Sequence, residues 1–278
     1  MTTTIPTPAV LRAVLALTGD DTLPQPIADA LAIRDRLQIH RPGVPPIADL
    51  LDNVLIAGLD ELDGALEAAA AEYSRRVFIQ ATRQHNLLTS RLDALLTNAW
   101  ANTAGDIVTR LKPVFDKAAA DLARVAGKLP AGASALDPAA VLDADARAAY
   151  MAAADALDRI LALPPAFGSP SALFDQPGGV NGVRLAVVVA TPAVPVELIH
   201  PFSEQRLTTG AELARIRDVR RLVEDWQADQ RLTLLDVVRG HYGDAVTLEL
   251  AMPDELPARL ERIKVAHTSR RVREHEAA

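Results

Sequence analysis

The chain has no cysteine. That excludes disulfides, Cys-ligated zinc, Cys-ligated iron–sulfur clusters and thiol catalysis. Aromatic residues make up only 4% of the 278 positions, and four lysines stand against twenty-five arginines. So few aromatics suit helices packed side by side better than the interior of a β-sandwich. Long apolar runs are missing too: the longest uninterrupted one, Ala148 to Ala154, is far short of the roughly 20 residues a membrane helix needs. Nor is there an excess of positive charge. With 36 acids against 29 bases the net charge is −7 and the pI near 5.4. A chain-wide coat for nucleic acid is therefore not expected, since phosphate binding draws on surplus Lys and Arg. The first apolar stretch has no basic segment before it and stops at Thr18, which does not read as a secretory signal. The expected setting is soluble and cytoplasmic, or a virus particle assembled there, with no membrane contact.

What the chain has is alanine, 51 residues or about 18%, well above ordinary usage. With the arginine bias, this is the stamp of a GC-rich coding sequence. Leu, Ile, Val and Phe supply about 28% more, above the level at which disorder is expected. The composition predicts a mainly α protein, with long amphipathic helices packed as a bundle or rod and a small β element in the C-terminal third.

Three regions follow from the pattern: a proline-jointed segment over 1–58, a long-helix region over 59–163 and an α+β region over 164–278. In the first, Thr7 before Pro8 predicts a capped helix to Leu17, and a second helix runs from about Pro26 to Leu37. In the second, Leu62, Leu66, Ala69, Tyr73, Val77, Ala81, Gln84, Leu88, Leu92 and Leu95 recur at steps of three and four, the stripe of an amphipathic helix. One rod from Asp60 to Trp100 would be about 60 Å long, and it cannot cover its own stripe. Asn102 to Asp106 reads as a joint, with the helix resuming through Ile107 and Leu111 and either kinked or begun by Pro113. Lys128 to Ser134 reads as a linker. Asp137-Pro138 predicts a helix start that leads through Leu142, Tyr150, Leu157 and Leu161.

Residues 164–182 are rich in Pro, Gly and Ser and read as a long loop, with Gly178-Gly179-Val-Asn-Gly182 as a turn. Val183 to Ala190 is β-branched and reads as a strand, with an edge continuation toward Ile199. Thr208 or Thr209 would cap a helix through Leu213, Ile216, Val219, Val223 and Trp226, the tryptophan plugging a core. A short helix covers Leu232 to Val238. Val246 to Leu250 alternates like a half-buried strand and could pair with the first. A last helix begins at Asp254 or Pro257.

The search for chemistry finds no phosphate loop, no H-E-x-x-H, no G-x-S-x-G and no EF-hand loop. The six histidines, His40, His85, His200, His241, His267 and His275, include no pair at i,i+3 or i,i+4, so no helix face offers two ready metal ligands. His85 reads as a solvent-facing residue of the long helix. Asp20-Asp21 and Glu224-Asp225 read as caps and solvated faces. Arg239-Gly-His-Tyr-Gly-Asp244 gathers a base, a histidine, a phenol and a carboxylate. An active site would be sought there first, with His241 as base and Asp244 orienting it.

No catalytic residue, cofactor or metal ligand is assigned. The expected function is structural: self-association into a homo-oligomer or with other assembly subunits, through the stripe of Leu62, Leu66, Tyr73, Val77, Leu88, Leu92 and Leu95. Virion and scaffold components share this composition. Two alternatives stand beside it. One is an enzyme with a non-local site near 239–244. The other is a module that binds an acidic partner or nucleic acid through the basic C-terminal residues Arg259, Arg262, Lys264, Arg270, Arg271 and Arg273.

Overall fold

A computed structural model describes residues 3–4, 6–38, 54, 61–80, 82–140, 144–167, 169–170, 179–192 and 210–268. The protein is mainly α. Its described helices are α1 (Pro8–Leu15), α2 (Gln25–Gln38), α3 (Leu62–Gln80), α4 (Thr82–Ala126), α5 (Ala144–Ala162), α6 (Gly179–Val188), α7 (Gly210–Ala228), α8 (Gln230–Val238) and α9 (Leu256–Thr268). The described strands are two residues each: β1 (Thr3–Thr4) pairs antiparallel with β2 (Ser169–Pro170), and β3 (Val189–Ala190) with β4 (Thr247–Leu248). Among the described residues no helix is long and apolar enough to cross a membrane. The chain divides into two compact units, Met1–Leu23 with Ala104–Ala278, and Pro24–Thr103.

The first unit is built around α6. Val183, Leu185, Ala186, Val187 and Val188 are all buried, because α7, α9 and the 3-10 turn Pro164–Phe167 all pack on this short helix. The strand expected over 183–190 is therefore helical up to Val188, and only Val189–Ala190 is extended. The reason is that a continuous apolar run is equally consistent with a buried strand and with a helix covered all round. The glycine cluster expected as a turn is also corrected: Gly179 and Gly182 lie in the first turns of α6. The predicted pairing of the two extended segments does form, in the register Val189 with Leu248 and Ala190 with Thr247. Beyond it, Glu249 and Ala251 donate their N–H groups to the Val188 and Val187 carbonyls, which satisfies acceptors that the end of α6 leaves open.

Local chemistry sets the other boundaries. Thr7 Oγ1 accepts from Val10 N at the start of α1, as expected, with Pro8 in the first turn. Asp229 is the single residue between α7 and α8, and its Oδ1 accepts from Arg231 N and Leu232 N. Ile216, Val219, Val223 and Trp226 are buried, as the spacing of α7 requires. At the predicted start after Asp137, the carboxylate accepts from Ala139 N, but the element it opens is the 3-10 turn Pro138–Ala140, and α5 begins at Ala144.

The joint expected at 102–106 is not there: α4 runs unbroken from Thr82 to Ala126 with Pro113 inside it. Thr103 and Thr109 turn their hydroxyls back to the Ala99 and Gly105 carbonyls at 2.8 Å. Their polar groups are thus satisfied on the helix itself. Ile107, Val108 and Leu111 are buried, and that burial outweighs the roughly 1 kcal/mol that a helical glycine costs. The proposed edge strand near Ile199, Thr208, Thr209, and His40, His200 and His275 lie outside the described residues.

Candidate functional site

The polar turn after α8 ends that helix in a Schellman motif. Gly240 is left-handed at φ 75, Gly240 N donates to Val237 O, and His241 N donates to Asp236 O. These are the 5→2 and 6→1 bonds of that cap. The carboxylate beside His241 is that of Asp236, whose Oδ1 lies 3.0 Å from Nδ1. This corrects the expected pairing with Asp244, an exposed residue. The turn folds His241 back over the last turn of its own helix, which sequence spacing alone does not reveal. Asp236 Oδ1 is buried and accepts no hydrogen bond among the described residues. The His241 ring lies beside it, with the Arg239 guanidinium at 3.9 Å.

Arg239 and Tyr242 are spent on structure. Arg239 Nη2 donates to the carbonyls of Ala126, Leu129 and Pro130, at 3.0, 3.0 and 2.8 Å. These are the acceptors that the C-terminus of α4 and the turn beyond it leave open. Tyr242 is buried and its hydroxyl donates to Asp225 Oδ2 at 2.7 Å. Burial, and then that hydrogen bond to a carboxylate, push its phenol well above the ordinary range. The Arg221 guanidinium lies 5.9 Å from the ring centre, within reach of a cation–π contact. Nearby, burial raises the Asp218 carboxyl despite Arg217 and Arg221.

The described part of the basic C-terminal segment is paired within the fold. Arg259 is buried, and its Nη2 lies 2.9 Å from both Glu249 Oε1 and Glu255 Oε2. Its Nη1 donates to the Glu249 carbonyl. Arg262 donates to the Thr191 carbonyl, and Lys264 lies 3.7 Å from Glu261. An arginine whose charge is matched inside the fold offers none to a phosphate. The Met252 N–H, and then Arg259, hold Glu255 below the usual carboxylate range. Arg270, Arg271 and Arg273 lie outside the described residues.

An open groove of about 890 Å³ runs between the end of α4 and the start of α5. Ala146, Ala148, Ala149 and Ala152 line it, with Arg124, Lys128 and Asp145 among its polar groups. Arg124 is 2.6 Å from Asp121. Among the described residues no group of three or more acidic or histidine side chains is placed to hold a metal ion.

The helical stripe is laid out differently. Leu62 and Leu92 are half-buried, while Leu66, Tyr73 and Leu95 are 48%, 46% and 41% exposed. Leu87, which the stripe passed over for Leu88, is 57% exposed. Val77 and Leu88 lie within α3 and α4. From Glu61 to Leu95 no described side chain is buried, whereas Leu96, Ala99, Trp100 and Thr103 all are. Helix α4 is continuous across this change, so it reflects what covers the helix and not what forms it.

Searches against protein-family models, curated proteins and solved structures return no match.

Proposed function

We propose that this chain is a non-enzymatic assembly protein that associates with further copies of itself through the stripe on α3 and the first turns of α4. The observation that carries this reading is the run of side chains from Glu61 to Leu95. It forms helix over α3 and the start of α4 yet buries no described residue, while leaving Leu66, Tyr73, Leu87 and Leu95 on the surface. Large apolar side chains left exposed are what an interaction site presents, and each leucine taken out of water contributes about 1.5–3 kcal/mol. A subunit of a virion or scaffold is the kind of component that this alanine-rich helical composition suits. The polar residues of 239–244 support this reading over an enzymatic one, because the Arg239 and Tyr242 side chains are committed to helix ends and a buried carboxylate.

The test is the solution mass by size exclusion with light scattering, at low and at high salt. The expected result is a discrete oligomer that persists at high salt, because an apolar seam is not screened. Leu66→Asp and Leu95→Asp each dissociate it and leave the helical signal close to the parent, since both side chains are exposed in the single chain, while the melting temperature falls by what association contributed. A particle of 29.7 kDa at all concentrations overturns the reading.

A further inference from the structure

Helix α3 lies against the chain by its weaker face. Among the side chains of Leu62 to Arg75, Leu62, Ala65, Ala69 and Glu72 are half-buried and the rest are exposed. Steps of three and four put those four on one side of the helix. Two are alanines and one is a glutamate, so little apolar area leaves water there. The large side chains Leu66 and Tyr73 stand to one side of that line and are exposed. Local chemistry makes up little of the difference. Ala68 to Ala71 favour the helix, but Gly64 in its first turn disfavours it, and the ion pair of Arg75 with Glu72 at 2.6 Å adds little on an exposed surface. Most helical stability in a protein comes from packing an apolar face and not from propensity. Helix α7 has the same nineteen residues and buries Ile216, Val219, Leu222, Val223 and Trp226.

We infer that association regulates the order of this helix: in the single chain α3 opens readily, and the second copy that covers Leu66 and Tyr73 closes it. The inference rests on the self-association reading and adds its coupling to folding. A species that binds only the closed helix shifts the equilibrium toward it by mass action, about 100-fold when the chain stands 100-fold above its dissociation constant. The coupling is reciprocal. Whatever makes α3 form more readily therefore makes copies bind more tightly, even at a position that no partner touches.

Gly64 and Ala71 are such positions. Both are exposed, and a Cβ added at Gly64 meets nothing within 4 Å. The rotation per residue turns both away from the side that carries Leu66 and Tyr73. In the full-length protein, Gly64→Ala is expected to tighten association about two- to fivefold, and Ala71→Gly to weaken it by a similar factor. Light scattering over a dilution series reads both. Unchanged affinity in both variants, with the oligomer intact, overturns the inference and leaves self-association standing, because the helix is then closed before copies meet. Amide hydrogen exchange gives a second readout. Helix α3 is nineteen residues beside the forty-five of α4, so its opening is read from its own amides and not from the total helical signal. Leu95→Asp dissociates the oligomer from the other helix, and α3 is then expected to lose at least about tenfold of its protection while α7 keeps its own. Equal protection of α3 in parent and variant also overturns the inference. A particle of 29.7 kDa at all concentrations overturns both readings.

Discussion

The Arg239 guanidinium lies 3.0 Å from the Ala126 carbonyl across 113 residues of chain. It thereby ties the C-terminal cap of α8 to the end of α4. The same Nη2 reaches Leu129 O and Pro130 O, so one part-buried side chain satisfies three acceptors. Arg239→Ala leaves these carbonyls unsatisfied and is expected to cost about 2–3 kcal/mol of stability. Arg239→Lys restores little of it, because a single ammonium does not reproduce the planar fork. Urea unfolding followed by circular dichroism measures both. A loss under about 0.5 kcal/mol for Arg239→Ala would show that these bonds add nothing net.

One substitution made at two glycines of the same compact unit should move stability in opposite directions. Gly240 sits at φ 75 in the Schellman turn, and Gly105 sits inside α4 with nothing within 4 Å of an added Cβ. Gly240→Ala forces a side chain into the left-handed region and costs about 1–2 kcal/mol. Gly105→Ala removes backbone freedom from the unfolded chain and adds about 0.5–1 kcal/mol. The check is the denaturation midpoint at unchanged slope. Two shifts of the same sign would contradict the assignment of these conformations.

Tyr242 should show itself in alkali. Its folded-state pKa is raised by burial and by the Asp225 carboxylate, so the fold favours the neutral phenol. The sign follows: this contribution is fully present below the unfolded phenol value of about 10, and is lost as pH climbs from there toward the folded value. Phenolate absorbance should therefore contain a component that appears only as the protein unfolds at high pH, and Tyr242→Phe should remove it. At neutral pH the same variant loses the 2.7 Å bond, at a cost of about 1–2 kcal/mol. A titration with the same late component in the variant would remove Tyr242 from this role.

Much of the helix map was legible before any coordinates. Thr7-Pro8 acts through groups one to three residues away, and the three- and four-residue spacing of α3 and α7 states which face is apolar. The misreadings share one cause. Val183 to Val188 and Asn102 to Asp106 carry local signals, β-branching and a glycine, that are worth about a kilocalorie per residue at most. Burial of Val187 or Ile107 against distant elements outweighs them.

The candidate sites divide the same way. The leucine stripe is a property of order along the chain, because a helix turns sequence spacing into a face by a fixed rotation per residue. What Arg239, Tyr242 and Arg259 do is not in that order. Each is one polar residue whose partner lies elsewhere: Ala126 is 113 residues from Arg239, Asp225 is 17 from Tyr242, and Glu249 is 10 from Arg259. A buried polar group must find whichever partner the packing brings to it. The sequence by itself determined that the chain is helical, which faces are apolar and how its charges are ordered. Only the tertiary structure decided which apolar side chains are covered, because coverage depends on what arrives from the rest of the chain: Leu96 is buried, while Leu66 and Leu95, with the same side chain, are exposed.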